Sequence, residues 1–537
     1  MKSLSERKRK WIERTVANDR SYKLVVYNRF FVFAISVLVQ ITAYILLLLV
    51  LDDASSTIVR GLFSIASVVF VVGIINRADR LTGKLSWIIL ILLFPFVGII
   101  MYLSFGNGKP TRKMHAKIET AKSLRKDFLT QTEEATQAVE ASDRSFVVSK
   151  YLFSVAGYPA YTDGSVEYYS TGEKTFEAIK EALRSAEKFI LMEYFILSGG
   201  ELWKEIRTIL LEKAEQGVQI RILYDDFGSL FSLPPKYAKY LESIHKNIKC
   251  HAFNRVIPVF AVRLNNRDHR KMLIVDGKVA FTGGVNIADE YVNEKRRFGH
   301  WKDSGIKITG SAVNSFTVMF FDLWNAFRKD TERVQDFLLS SPQPQAKPNE
   351  QPQLQVNGII QPYDDSPLDH TPTGEAVYSD LINAARKRVW IFTPYLILDD
   401  YMRETLCYAA LRGVDVRIVT PGIPDKKTIY RLTRANYGLL MKAGVKIYEY
   451  TPGFIHSKSM LCDDETAVVG TINLDYRSLY HHFENAVLFS TPSAIKALER
   501  DYEETFALSR LCTADNPKRG VIGRLFDSIL RLFETLF

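Results

Sequence analysis

Apolar and polar residues follow two different patterns along this chain. Near the N-terminus, uncharged apolar runs cover residues 30–51 and 85–105, with a shorter run at 61–75 between them. Each longer run could cross a hydrocarbon core of about 30 Å as a helix. The pattern therefore predicts transmembrane helices within residues 30–106. Two spans are expected, or three if the shorter run also crosses rather than forming a re-entrant segment.

Beyond residue 145, short β-branched runs alternate with amphipathic helical stretches, and this arrangement occurs twice. The tripeptide Thr-Gly-Glu opens a helical stretch at 171 and again at 373, before the strand sequences KFILMEYFIL and KRVWIFTPYLIL. In each half a later helix ends at a glycine, Gly217 or Gly413, and a β-branched strand follows. Alternating strands and helices predict an α/β fold with a largely parallel sheet. We therefore expect two duplicated α/β halves that form a pseudo-dimer within one chain.

Composition marks the boundaries between these parts. A Pro- and Gln-rich stretch, nearly free of apolar residues, is typical of a linker between the halves. Near the C-terminus, residues 521–537 carry an apolar stripe at helical spacing, which suits either a membrane interface or packing on the protein core. The expected order is a basic N-terminal segment, transmembrane region, basic helical connector, first half, linker, second half and C-terminal amphipathic helix, at residues 1–29, 30–106, 107–144, 145–339, 340–353, 354–513 and 514–537.

The net charge of +10 favours an anionic partner, either nucleic acid or an acidic membrane surface. Much of the positive charge lies at residues 1–29 and 109–126, beside the apolar runs, where anionic lipid explains it better than nucleic acid. The basic N-terminal segment predicts a cytoplasmic N-terminus. Basic residues also follow the last apolar run, so the number of spans and the membrane side of the two halves stay open. Four scattered cysteines give neither a zinc signature nor a disulfide framework.

A constellation of five residues occurs twice at identical spacing. In each copy the offsets from the histidine are two, seven, fourteen and seventeen residues. Two complete copies on a duplicated scaffold are far more specific than a lone His-x-Lys pair. We therefore expect one site built from two halves. The copies are His269, Lys271, Asp276, Gly283 and Asn286, and His456, Lys458, Asp463, Gly470 and Asn473.

Each motif predicts a β-hairpin. His269 and Lys271 are two residues apart in an apolar, β-branched run, so their side chains share one face of a strand. A two-residue Asp-Gly turn at 276 would place Gly284 opposite His269, and the matching turn at 463 would place Thr471 opposite His456. The motif aspartates are then expected to fix the turns rather than to touch a substrate.

The residue types suit phosphoryl transfer. Two lysines and two asparagines can cradle a phosphodiester and the charge that develops on it, and glycine allows a close backbone approach. One histidine can attack phosphorus while the other protonates the leaving alcohol. No metal or cofactor is expected, because side chains already supply the positive charge. The symmetric motifs do not say which histidine is the nucleophile.

With these motifs the chain resembles the phospholipase D superfamily, and more closely its bacterial cardiolipin synthases. The similarity extends over nearly the whole chain, through FPFVGIIMYLSFG, YDDFGS, HRKMLIVDGKVAFTGGVNIADEY and the segment from RANYGLLMKAG to HHFENA. The phospholipase D-type fold is therefore expected for the two halves. Gly284 departs from the broader superfamily, in which Ser or Thr is commoner, but matches the cardiolipin synthase variant.

The resemblance implies transfer of a phosphatidyl group between two phosphatidylglycerol molecules, with release of glycerol. It implies that His269 is the nucleophile and His456 the general acid. It also implies that Glu484 and Asp303 orient the catalytic histidines, because an acidic residue follows each motif in the superfamily. The expected location is the bacterial cell membrane, as a multi-pass protein in contact with anionic lipids.

The motifs leave the acceptor open. A membrane-bound hydrolase that uses water, or a transferase that uses another alcohol, would need the same two histidines. A nucleic-acid phosphodiesterase is disfavoured because the basic charge lies beside the apolar runs. A scaffold with a decayed site is disfavoured because both motifs are intact. Acyl-chain preference and oligomeric state are also open.

Overall fold

The computed structural model describes most of the chain, and the two halves almost completely. The described ranges are residues 53–77, 81–95, 112–123, 125–142, 145–255, 265–339, 358–369 and 372–513, with isolated positions elsewhere. The expected linker at 340–353 and nearly all of the apolar run at 30–51 lie outside these ranges.

Within the described ranges, five α-helices precede the first sheet. They are α1 (Asp53–Ile75), α2 (Leu81–Leu93), α3 (Arg112–Lys122), α4 (Glu133–Glu140) and α5 (Phe146–Ser154). Of the helices in the described ranges, none combines the length and the apolar character needed to cross a membrane. The expected span at 85–105 is interrupted, since α2 ends at Leu93, two residues before Pro95. Proline disfavours helical backbone at the preceding residue, which accounts for this boundary.

The described residues of the first half form a mixed seven-stranded sheet with helices on its faces. Its strands are β1 (Ser165–Tyr169), β2 (Phe189–Tyr194), β3 (Gln219–Asp225), β4 (Ile248–Phe253), β5 (Lys271–Val275), β6 (Val279–Gly283), β7 (His300–Lys302) and β8 (Gly305–Thr309), of which β7 lies outside the sheet. Its helices are α6 (Gly172–Ser185), α7 (Glu201–Glu215), α8 (Tyr237–Ile244) and α9 (Val313–Phe327).

In the part of the second half that the structure describes, the strands form an eight-stranded sheet. Its strands are β9 (Ile360–Asp365), β10 (Arg388–Phe392), β11 (Asp415–Pro421), β12 (Lys446–Tyr450), β13 (Gly453–Ile455), β14 (Ser459–Cys462), β15 (Thr466–Gly470), β16 (Glu484–Phe489) and β17 (Ser509–Leu511), of which β13 lies outside the sheet. Its helices are α10 (Thr373–Ala384), α11 (Asp400–Leu411), α12 (Lys427–Lys442), α13 (Tyr476–Tyr480) and α14 (Pro492–Ala507).

The two sheets have the same topology, which confirms the duplication. The first runs β1-β8-β6-β5-β2-β3-β4, and the second runs β9-β16-β15-β14-β10-β11-β12 with β17 added at its edge. The expectation of a largely parallel sheet is wrong. In each half only β2-β3-β4 or β10-β11-β12 are parallel, and the other pairs are antiparallel. The motif hairpins account for one antiparallel pair in each sheet, because strands joined by a tight turn can only run antiparallel.

The halves share one apolar core, and short backbone segments of the two halves pair with each other. A single apolar cluster contains Ala280 and Ile306 from the first sheet and Ala467 and Ala486 from the second. Outside the sheets, β7 of the first half pairs in parallel with β13 of the second. A matching bridge joins residues 268 and 483. In each half, the segment directly before the motif histidine therefore pairs with a segment of the other half.

The connector also joins the halves. Arg125, in a single turn of 3-10 helix, donates from Nε to Asp322 of α9 and from Nη2 to Asp364 of β9, each at 2.7 Å. All three side chains are buried. Removal of this buried guanidinium would be costly, because Asp322 would lose its ion-pair partner and Asp364 would be left with the more distant Lys122, at 3.8 Å.

The C-terminal amphipathic segment contacts the second half at the positions that the structure describes. Leu530 packs against a small cluster of Ile397, Leu432 and Tyr476. Arg431 of α12 pairs with Asp527. Of the two roles left open by the sequence, these contacts favour packing on the protein.

Candidate active site

The motif hairpins form as predicted, but each turn is one residue longer than expected. Strand β5 pairs antiparallel with β6 so that Val275 faces Val279, and β14 pairs with β15 so that Cys462 faces Thr466. Three residues therefore separate the paired strands. The predicted positions of Gly284 opposite His269 and Thr471 opposite His456 are wrong by this one-residue shift. The first residue of each turn, Asp276 or Asp463, is left-handed with φ of 53°.

The motif aspartates fix the chain at the end of each hairpin. Asp276 accepts hydrogen bonds at 2.8 Å from the backbone N–H groups of residues 187, 188 and 189, which lead into β2. Asp463 makes the equivalent set with residues 386, 387 and 388. Both carboxylates are therefore committed to the start of the adjacent strand, and their contacts are structural.

The two histidines are held by acids from the opposite halves. His269 Nδ1 lies 2.9 Å from both oxygens of Glu484, and His456 Nδ1 lies 2.7 Å from Asp303 Oδ2. The exchange follows from the backbone: His456 N donates to the Lys302 carbonyl at 2.7 Å, one residue before Asp303. With Nδ1 engaged in each ring, Nε2 is the nitrogen left to react with a substrate.

The hydrogen bonds of His456 fix its tautomer. Burial alone would raise the pKa of Asp303, but His456 and Lys458 together hold it below its usual range. An ionised Asp303 accepts the Nδ1 proton, which leaves no lone pair at Nδ1 for Lys458, although its Nζ lies at 2.8 Å. Lys458 therefore donates to the His456 carbonyl oxygen, a contact the structure also contains.

The His269 pair is electrostatically different. Burial raises the pKa of Glu484 well above its usual range, and Lys271 opposes this rise only partly. Thr471 Oγ1 donates to the same carboxyl at 2.5 Å. Burial, then Lys271 and His482, lower the pKa of His269 well below its usual range. His269 is therefore neutral, and a neutral imidazole is the form that can act as a nucleophile.

The two lysines are buried beside the histidines. Burial lowers the pKa of Lys271 to about 8, although the carboxylates of Glu484 and Asp303 raise it. Burial likewise lowers the pKa of Lys458 to about 7. Lys271 Nζ donates to the His269 carbonyl at 2.6 Å. Two buried amines close to each other should bind an anion strongly, because a nearby negative charge favours their protonated forms.

Gly284 and Thr471 occupy equivalent positions with different neighbours. Gly284 N donates to the carbonyl of residue 304, and Thr471 N donates to that of residue 485, each directly after the histidine-orienting acid. A Cβ on Gly284 would lie 1.9 Å from Asp303 Oδ1. The first half thus combines glycine with a short Asp, and the second combines Thr471 with a longer Glu484.

The remaining motif residues shape the site in unequal ways. Asn286 is committed at both ends, accepting from Ile196 N at 2.9 Å and donating to Tyr291 Oη at 2.7 Å. Asn473 donates to Asp475 at 3.1 Å, while its buried Oδ1 has no hydrogen-bond partner among the described residues. Asn473 therefore retains more capacity for a ligand.

The motif glycines face protein rather than open space. A Cβ on Gly283 would lie 2.3 Å from the carbonyl oxygen of residue 304, and one on Gly470 would lie 2.4 Å from that of residue 485. Both glycines therefore pack closely against β8 and β16, and their expected role in binding phosphate stays a prediction.

Sequence reasoning missed two residues of this cluster, Thr471 as a partner of Glu484 and His482 beside His269. The His482 and His269 ring centroids are 5.5 Å apart. A comparison of Gly284 with Thr471 between the copies was the available signal for the first. Among the described residues, His269, His482 and Glu484 also bring ligand atoms within 4.8 Å of one another, as a metal site would require.

Comparisons with known proteins agree with this geometry. The family model described as cardiolipin synthase, PLD-like domain, matches residues 179–313 and again 378–506, one match to each half. A second model, described as phospholipase D-nuclease N-terminal, matches residues 65–107.

Similar proteins cover nearly the whole chain. A Streptococcus mutans protein described as uncharacterized is 40% identical over 88% of this chain and 100% of its own length. A cardiolipin synthase of Geobacillus kaustophilus is 32% identical over 89% of this chain and 94% of its own. The crystal structure of a phosphatidylserine synthase from Haemophilus influenzae has the same fold, with a TM-score of 0.51 and 15% identity over 69% of this chain and 95% of its own. The chain belongs to the bacterial cardiolipin synthases, which are phosphatidyltransferases of the phospholipase D type.

Proposed function

We propose that this enzyme transfers a phosphatidyl group from one phosphatidylglycerol molecule to another through a phosphatidyl-histidine intermediate. The observation that carries the proposal is the exchanged pairing, in which each buried carboxylate holds Nδ1 of the opposite half's histidine. This pairing leaves two Nε2 atoms for one phosphodiester, with Lys271 and Lys458 buried beside them. Such an arrangement suits attack on phosphorus from one side and protonation of the leaving oxygen on the other.

His269 is the proposed nucleophile. Its low pKa keeps the ring neutral, and Glu484, whose own pKa is raised by burial, does little to favour the imidazolium form. In the first step Nε2 of His269 bonds to phosphorus as the bond from phosphorus to the oxygen of the head-group glycerol breaks. The negative charge that develops on the phosphoryl oxygens is stabilised by the lysine ammonium groups.

His456 is the proposed general acid. Burial and Lys458 lower its pKa to about 4, although Asp303 raises it. The anionic phosphodiester raises this pKa on binding, because it adds a negative charge beside the ring. The ionised Asp303 then stabilises the imidazolium, which gives its proton to the departing glycerol.

The second step reverses the first with a new alcohol. Neutral His456 removes the proton from a hydroxyl of the second phosphatidylglycerol, whose oxygen bonds to phosphorus as the bond to His269 breaks. The catalytic histidines and lysines are all more than nine-tenths buried. A site that excludes water in this way favours transfer to an alcohol over hydrolysis.

We also propose that the N-terminal region anchors the enzyme in the bacterial membrane. Helices α1 and α2 expose large apolar side chains, including Ile58, Ile65, Val69 and Leu93. Such a surface is unfavourable in water and suits contact with lipid. Anchoring would keep the site beside its phospholipid substrates.

The test is incubation of the purified full chain with phosphatidylglycerol in mixed micelles. Cardiolipin and free glycerol are expected in equal amounts, whereas phosphatidic acid alone would replace this proposal with a hydrolase. His269→Ala should abolish both cardiolipin and the covalent lipid adduct. A matched control is His251→Ala, which removes a half-buried histidine of the edge strand β4. An adduct trapped on His456 would reverse the two roles.

A further inference from the structure

His482 lies inside the catalytic cluster, and no step of the proposed mechanism uses it. Its position is fixed by backbone contacts on both sides. His482 N donates to the Arg477 carbonyl at 2.9 Å, and the next residue, Phe483, bridges to the chain just before His269. The His482 and His269 ring centroids are 5.5 Å apart, with 41° between the ring planes.

The imidazole of His482 is buried without hydrogen bonds. Only 9% of the residue is exposed, and neither Nδ1 nor Nε2 has a hydrogen-bond partner among the residues that the structure describes. Its Nδ1 lies 3.8 Å from Glu484 Oε1, beyond hydrogen-bond distance. Buried polar groups in folded proteins are almost always paired, so an unpaired imidazole beside the proposed nucleophile points to a ligand-binding role.

The charged groups around His482 indicate which kind of ligand it would bind. Burial, followed by Arg477, His481, Arg267 and Lys271, lowers its pKa well below the usual range. The ring is therefore neutral and carries one N–H donor and one acceptor. The same cations make the site repel a metal ion, although His482 shares metal-like spacing with His269 and Glu484. An anionic oxygen is the ligand that an N–H donor in cationic surroundings would bind.

We propose that His482 is a further substrate-binding residue, which donates its imidazole N–H to a non-bridging oxygen of the phosphoryl group that His269 attacks. This inference rests on the proposed function for the identity of the lipid. The chemistry it requires is only that of a phosphate oxygen, so inorganic phosphate serves as the probe.

The experiment compares phosphate binding by isothermal titration calorimetry for the detergent-solubilised full chain and its variants. His482→Phe keeps an aromatic ring but removes both nitrogens, and is expected to weaken phosphate binding by about 10- to 100-fold, as for a lost hydrogen bond to a charged group. His482→Gln restores an N–H donor and should recover part of the affinity. His251→Phe serves as the matched control for loss of a histidine elsewhere, and should bind phosphate like the original chain.

Kinetics and spectroscopy make the outcome decisive. His482→Phe should lower kcat/KM for phosphatidylglycerol. If the variant fails to fold, nitrogen NMR of the histidine-labelled original chain replaces it, with His482→Gln used to assign the signal. Phosphate should then shift a His482 nitrogen resonance. Unchanged phosphate affinity in folded His482→Phe, an unmoved His482 resonance, or zinc binding that exceeds phosphate binding would overturn the proposal.

These outcomes are separable from those of the proposed function. Formation of phosphatidic acid in place of cardiolipin would refute the synthase mechanism. The role of His482 would then still be tested by the phosphate titration. Cardiolipin formation with unchanged phosphate affinity in His482→Phe would retain the mechanism and remove His482 from the binding site.

Discussion

Gly284 is expected to be essential because it leaves room for the acid that orients His456. A Cβ at this position would lie 1.9 Å from Asp303 Oδ1 and 2.9 Å from the His456 carbonyl oxygen, whereas ordinary contacts begin near 3.4 Å. In Gly284→Ala the carboxylate would have to retreat by about 1.5 Å, which is incompatible with its 2.7 Å hydrogen bond to His456.

The size of the effect follows from what the carboxylate does. A misplacement of about 1 Å in a catalytic group can cost about 100-fold in rate, and loss of an orienting carboxylate about 10,000-fold. We therefore expect kcat of Gly284→Ala to fall by about 100- to 10,000-fold. Phosphate affinity should change much less, because the lysines are not displaced.

The assay is the rate of cardiolipin formation from phosphatidylglycerol in mixed micelles, with folding checked by circular dichroism. Gly438→Ala is the matched control, since an added Cβ there, in α12, meets nothing within 4 Å. The double variant Gly284→Thr with Asp303→Glu rebuilds the Thr471–Glu484 pair of the second half and should recover part of the lost rate. A folded Gly284→Ala enzyme with nearly unchanged kcat would refute the reasoning.

Three further predictions follow from the same contacts. Glu484→Gln keeps the volume of the acid but changes its hydrogen bonds to His269, so kcat for cardiolipin formation should fall at least about 100-fold, and a normal rate would exclude an orienting role. Arg125→Met leaves Asp322 without its ion-pair partner and Asp364 with the more distant Lys122, so urea titration should show an unfolding free energy lower by about 3–5 kcal/mol, whereas an unchanged midpoint would contradict this. The pKa values of about 7 for Lys458 and about 8 for Lys271 predict that kcat/KM falls as pH rises through this range, since neutral amines no longer attract phosphate. A pH profile that stays flat to pH 10 would be inconsistent with it.

Local patterns were enough to predict the two hairpins and the duplication. Periodicity and turn residues act over a few positions, so the strands that carry Lys271 and Lys458 formed where expected. The length of each turn was not predictable in this way. The first residue of the turn is a left-handed aspartate that is held by backbone N–H groups about 90 residues earlier in the first half, and short-range sequence patterns do not contain such a contact.

The mixture of parallel and antiparallel strand pairs in each sheet also could not be predicted from local patterns. Helices between β2, β3 and β4 correctly indicated parallel pairing for these strands. The hairpins then had to add antiparallel strands on one side, but the sequence did not say that they join the same sheet. That choice depends on which apolar faces pack together in the shared core.

The sequence by itself determined the chemistry, because His, Lys and their spacing recur in both halves and only certain side chains can perform phosphoryl transfer. Only the tertiary structure decided which acid serves which histidine. Glu484 and Asp303 lie 215 and 153 residues from the rings they hold, and each reaches the opposite half. The cause is the parallel pairing of backbone segments across the interface, and such long-range pairing leaves no periodic trace in a single sequence.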